Sequence, residues 1–162
     1  MNRETRRIDE TKLLKCVAIP LATGGVAGFL SAGGMKTFQI LKKPPLAPPG
    51  WLFPVVWTIL YVLMGIACYL VCTADAEWDD ISEALSLYYY QLVVNFLWPI
   101  FFFNFQWYLF AFFWLVLLWV LVFRMIRKFY PISKQAAYLC VPYLAWLTFA
   151  GYLNLGIWWL NR

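Results

Sequence analysis

Histidine is absent from all 162 residues, and only 13% of the chain is charged. The first absence removes the usual metal ligand, the usual haem axial ligand and the commonest general base. Acidic residues number eight against thirteen Lys and Arg, and five of the eight (Asp75, Glu77, Asp79, Asp80, Glu83) crowd into one short stretch. No Asp, Glu, Lys or Arg lies well inside any of the last four apolar runs. Proton pumps, ion-coupled transporters and voltage sensors work through such buried charges, so these classes are not expected. Intramembrane proteolysis likewise lacks a carboxylate pair or a Ser–His combination. A soluble domain of this size needs more charge than this to clothe its surface.

In their place stands apolar surface. The chain is 64% hydrophobic, with ten Trp, ten Tyr and fourteen Phe, and its mean hydropathy is +0.68. Aromatic belts at a membrane interface need fewer rings than that, so some are expected to line an interior cavity. The net charge of +5 comes from basic clusters flanking apolar runs. Lipid headgroups and membrane topology account for them, and no nucleic-acid partner is expected.

Five runs are long enough to cross a bilayer: 13–34, 51–73, 84–103, 106–123 and 135–160. The expected fold is therefore an all-α membrane protein, a bundle of five transmembrane helices spanning 13–162 behind a polar tail, 1–12. In the first run Gly24, Gly28 and Ala32 recur every fourth residue, a pattern that lets another helix approach closely. The run resembles a signal peptide only superficially, because it is longer than an h-region and Lys15 enters its start. Residues 35–50 read as a loop stiffened by Pro44, Pro45, Pro48 and Pro49. Pro99 should kink or loosen the third helix, and Pro131 should break the chain after the fourth. Nine Lys and Arg lie on the side of the N-terminus and four on the other. By the positive-inside rule the N-terminus is cytoplasmic and the C-terminus outside.

Uncharged polar residues recur within the runs at helical spacing. Tyr88, Gln91, Asn95 and Trp98 share one face of the third helix. Pro54, Trp57, Tyr61 and Met64 form a stripe on the second, and Pro142, Trp146, Phe149 and Leu153 one on the fifth. Two readings stand. Gln91 and Asn95 hold helices together by hydrogen bonds, or these stripes wall a mid-membrane pocket for a large, flat, largely apolar ligand. Cys16, Cys68, Cys72 and Cys140 fall in or beside the runs, with Cys68 and Cys72 on one helix face. A thiolate site is one reading of that pair; small buried hydrophobes is the simpler one.

The segment Lys43-Pro-Pro-Leu-Ala-Pro-Pro-Gly-Trp51, then Phe53-Pro-Val-Val-Trp-Thr-Ile-Leu-Tyr61 with Met64-Gly65, resembles the translocator protein family. That family is also called the tryptophan-rich sensory proteins, or peripheral benzodiazepine receptors. Tyr90-Gln-Leu-Val-Val-Asn95 with Trp98-Pro99, Pro142-Tyr-Leu-Ala-Trp146, Phe149-Ala150 and Leu153-Asn154 agree in order and spacing. The resemblance implies a five-helix bundle, a homodimer, and a pocket whose lid is the first loop. It implies binding of porphyrins such as protoporphyrin IX and of isoquinoline carboxamide or benzodiazepine-type ligands, in a sensory or regulatory role at a bacterial plasma membrane. Porphyrin would be a ligand, and no cofactor is required. Matched by motif, the pocket residues are Trp57, Tyr61, Gln91, Asn95, Trp98, Trp146, Phe149 and Ala150. Lys36, Lys42 and Lys43 are the lid's candidates for meeting propionates. Light-dependent porphyrin degradation, with Trp57 and Trp146 as oxidisable indoles, and transport are the alternative activities. Two departures stand out. Thr37-Phe38 and Leu46 replace aromatic residues of the family's loop, and the C-terminal sterol motif of animal members is incomplete, with Leu155 after Asn154.

Overall fold

The structure is a computed structural model and describes residues 8–162. Residues 1–7 of the expected tail lie outside the described residues. Five α-helices follow in order: α1 (Glu10–Ile40), α2 (Leu52–Cys72), α3 (Trp78–Pro99), α4 (Tyr108–Ile132) and α5 (Lys134–Leu160). All five are long and apolar enough to cross a membrane, and no strand occurs among the described residues. At 1.5 Å per residue the shortest, α2, is about 30 Å long, one hydrocarbon thickness.

The helix ends show which local signals win. α1 begins at Glu10 because Asp9 accepts a hydrogen bond from the backbone N–H of Lys12, an N-cap. It therefore starts inside the stretch expected as tail. At its other end α1 runs on to Ile40, six residues past the expected boundary, so Met35 and Lys36 are helical. The extension is held by packing. The Phe38 ring is buried, at edge-on centroid distances of 6.2, 6.0 and 5.5 Å from Phe53, Phe102 and Phe103. The acidic stretch is partly helical too, with Asp79 and Asp80 in the first turn of α3, where the helix dipole favours negative charge.

Pro99 does loosen the chain. Ile100–Asn104 form a π turn, closed by the Phe105 N–H donating to the Ile100 carbonyl at 3.1 Å. Pro131, in contrast, breaks nothing: α4 continues to Ile132. Proline in a last turn forfeits only one intrahelical bond. The break falls two residues later, at Ser133, whose hydroxyl accepts from the Ala136 N–H and caps α5.

The main core gathers Leu60, Met64, Ala67 and Val71 from α2, Ile81, Ala84 and Tyr88 from α3, Leu118, Val122 and Met125 from α4, and Ala137, Cys140, Tyr143 and Leu147 from α5. Outward positions are apolar as well, among them Phe29, Phe113 and Val93. That surface is suited to lipid. The backbones of α1 and α2 come close at Gly65, where an added Cβ would fall 2.5 Å from Val17 Cα and 2.8 Å from the Cys16 carbonyl oxygen. Pro20, buried in α1, has no N–H for that carbonyl, which is left to face α2.

Candidate functional site

In the half of the bundle nearer the first loop, the helices part around a cavity of about 460 Å³. Its walls come from α1, α2, α3 with its π turn, and α5. The α1 wall is the small-residue face. Only Gly24 makes a close approach there, against the Tyr61 ring, whereas an added Cβ at Gly25 or Gly28 would meet nothing within 4 Å. Ala32 is exposed. The stripe expected to seat a helix instead holds space open.

Of the residues singled out in the sequence, Trp57, Tyr61, Asn95, Trp98, Trp146 and Ala150 line this cavity. Trp57 and Tyr61 stack at 5.5 Å, Trp57 meets Tyr143 edge-on at 6.1 Å, and Phe53 meets Trp146 at 5.9 Å. Gln91 is fully buried and stands behind the wall, and Phe149 lies on the far side of Trp146, in an outward groove between α2 and α5.

Polar contacts among these residues are neutral and continuous. The Tyr61 hydroxyl donates to Asn95 Oδ1 at 3.0 Å, Asn95 Nδ2 donates to the Tyr143 hydroxyl at 2.5 Å, and that hydroxyl donates to Gln91 Oε1 at 2.9 Å. The chain ends with Gln91 Nε2 against Met64 Sδ at 3.7 Å. Three helices are thus tied together behind the cavity, and the two readings of the third-helix stripe divide between residues. Gln91 joins helices, while Asn95 both joins helices and faces the cavity. Trp98 Nε1 donates to Asn154 Oδ1 at 3.2 Å, and Asn154 Nδ2 to the Tyr108 carbonyl at 2.7 Å. Pro99, which also lines the cavity, has no N–H for the Asn95 carbonyl. The buried Trp146 indole N–H finds no partner among the described residues. Those of Trp98, Trp114 and Trp119 are all engaged. Tyr143 is the residue sequence reasoning missed. A lone tyrosine in an apolar run carries no signal, although its place three residues before Trp146 puts it on the same helix face.

The first loop is fastened over the end of α5. Lys42 and Asn161 exchange two hydrogen bonds, Lys42 N–H to Asn161 Oδ1 at 3.0 Å and Asn161 Nδ2 to the Lys42 carbonyl at 2.9 Å. The Tyr152 hydroxyl donates to the Pro45 carbonyl at 2.7 Å, and Pro44 packs against Gly156. Ala47 and Pro48 close a crevice against Phe38, Phe53, Trp98 and Ala150, three of which also belong to the cavity or its rim. Lys36, Lys42 and Lys43 are exposed at this end, outside the lining, and Lys43 Nζ sits 4.8 Å over the Phe38 ring.

Residues 16–160 match the TspO/MBR family. The chain belongs to that family. Among its relatives are a tryptophan-rich protein TspO of Chlorobaculum tepidum, 37% identical over 150 residues that cover 92% of this chain and 95% of that one, and another from Archaeoglobus fulgidus, 37% identical with 93% and 97% covered. A translocator protein of Bos taurus is 34% identical over 149 residues, 85% of each chain. With five membrane-length helices and this membership, the TspO/MBR chain is a multi-pass membrane protein.

Proposed function

We propose that this TspO/MBR protein binds a tetrapyrrole such as protoporphyrin IX in the four-walled cavity and acts as a sensory or regulatory membrane protein. The observation that carries the reading is the cavity itself. Its volume lies in the range of small-molecule sites, indole and phenol rings form its walls, and its few polar groups are uncharged. Flat aromatic walls suit a flat conjugated ligand. Propionates would reach the lysines at the loop end, with Lys36, Lys42 and Lys43 as their partners. The same cavity would accept isoquinoline carboxamide or benzodiazepine-type ligands. The basic bias of the sequence favours a cytoplasmic N-terminus, as for a plasma-membrane protein, and the family membership supports assembly as a homodimer.

Titration of protoporphyrin IX into the detergent-purified protein in the dark, followed by tryptophan emission, tests the binding. Saturable quenching is expected. Quenching that tracks detergent partitioning alone overturns the proposal. A second reading, photochemical porphyrin degradation, is favoured by one observation: Trp57 and Trp146 stand on the same cavity. Trp57→Phe and Trp146→Phe remove the oxidisable indole but keep a ring. At matched occupancy, bleaching under illumination that collapses in both variants would establish the photochemical reading over simple binding.

A further inference from the structure

At the opposite end of the α1–α2 contact, three of the four cysteines meet. The Sγ atoms of Cys16, Cys68 and Cys72 all lie within 4.8 Å of one another, and the Cys68–Cys72 pair is 3.9 Å apart. Cys16 and Cys68 are buried and Cys72, the last residue of α2, is half-buried. None lines the cavity. We propose that these three thiols form a site for a soft monovalent d10 cation, with copper(I) as its ion.

Geometry supports a closed, three-coordinate centre. With metal–sulfur bonds of about 2.3 Å, trigonal ligation separates sulfurs by about 4 Å, so the Cys68–Cys72 distance already fits one edge. The backbone contact at Gly65 holds the third ligand in place. It brings α1 within touching distance of α2 one turn before Cys68, and the α1 residues it touches are Cys16 and Val17. Ligand chemistry then selects the ion. Three thiolates without nitrogen or oxygen donors are soft, which suits copper(I). Zinc takes four ligands in a structural site. No further His, Cys, Asp or Glu joins this cluster among the described residues, and the chain has no histidine. Binding requires each thiol to lose its proton, leaving a centre of charge −2. Lys12, one helical turn before Cys16, brings positive charge to that end of α1. A bound ion would clip α1 to α2 at the end remote from the first loop.

The test uses the full chain, reduced and anaerobic in detergent, titrated with copper(I) against a chromophoric copper(I) chelator of known affinity. One ion per chain, a thiolate-to-copper charge-transfer band in the near ultraviolet and three sulfur neighbours by X-ray absorption are expected. Cys16→Ser, Cys68→Ser and Cys72→Ser should each weaken binding by more than about 100-fold, the upper scale for losing even an outer-shell partner. Cys140→Ser, at a thiol buried elsewhere in the core on α5, should bind as wild type. Unchanged affinity in Cys16→Ser, two sulfurs or mainly nitrogen and oxygen neighbours, or zinc displacing copper would overturn the assignment. If a serine variant fails to fold, the neighbour count on the wild-type protein decides alone.

Discussion

Gly65 and Gly28 sit on the facing sides of α2 and α1, yet they do opposite things. At Gly65 the missing side chain lets two backbones touch, with Val17 Cα where a Cβ would need to be. At Gly28 the missing side chain leaves a void, and the void belongs to a cavity walled by indoles. Small residues in a membrane helix are usually taken as places of close approach. Here the same helix pair uses them for both purposes, and what differs is the residue opposite. Gly65 faces the backbone of α1 beside Pro20, whereas Gly28 faces across the cavity toward the bulky aromatic side chains of α2 and α3. Large rings facing small residues prop the helices apart at one end, and nothing does so at the other.

The largest effect should come from closing the tight end to its partner. Gly65→Leu must displace the α1 backbone, and overpacking of this kind costs about 1–3 kcal/mol. Thermal unfolding in detergent should show the loss, with Gly65→Ala intermediate. Unchanged stability in Gly65→Leu would mean that α1 does not seat there.

A smaller loss is expected at the neutral chain behind the cavity. Asn95→Leu removes both the acceptor for Tyr61 and the donor to Tyr143. Interhelical hydrogen bonds in membranes have modest net worth, so a loss of about 1–2 kcal/mol is expected for the pair. Because Tyr143 and Asn95 share one network, Tyr143→Phe combined with Asn95→Leu should lose less than the two single losses added. Strict additivity would show that the chain does not act as a unit.

These contrasts mark what was legible in the sequence and what was not. Five apolar runs announce five helices, because the bilayer fixes the length a helix must have. Boundaries were less visible. Met35 and Lys36 read locally as the start of a loop, but Phe38 beyond them finds three aromatic partners, and that packing carries α1 on to Ile40. Pro131 reads as a break, but α4 ends only at Ile132, and Ser133 then caps α5. Among the stripe residues, spacing put Gln91, Asn95 and Trp98 on one face without telling which of them reaches open space. That depends on the distance to α1, which no local pattern encodes. The thiol cluster was half visible for the same reason. Cys68 and Cys72 share a face by spacing, whereas Cys16 joins them only through the contact at Gly65.

The smallest effect on stability, and the sharpest division between the two ends, is expected at Gly28. Gly28→Leu adds a side chain with nothing within 4 Å of its first carbon, so no backbone need move. Replacing a helical glycine also removes its propensity penalty of about 1 kcal/mol at most. Stability should therefore stay within about 0.5 kcal/mol of wild type or rise. The leucine would occupy volume that a flat ligand needs, between α1 and the Trp57 and Trp146 walls. Protoporphyrin affinity should accordingly fall by roughly tenfold or more, equivalent to about 1.4 kcal/mol. Gly65→Ala serves as the converse, with stability lowered and the cavity lining intact. Measured together by thermal unfolding and fluorescence titration, the two variants should separate, one losing ligand without stability and the other stability first. If Gly28→Leu binds porphyrin as tightly as wild type, the ligand does not lie against α1, and the void at that end must serve something else.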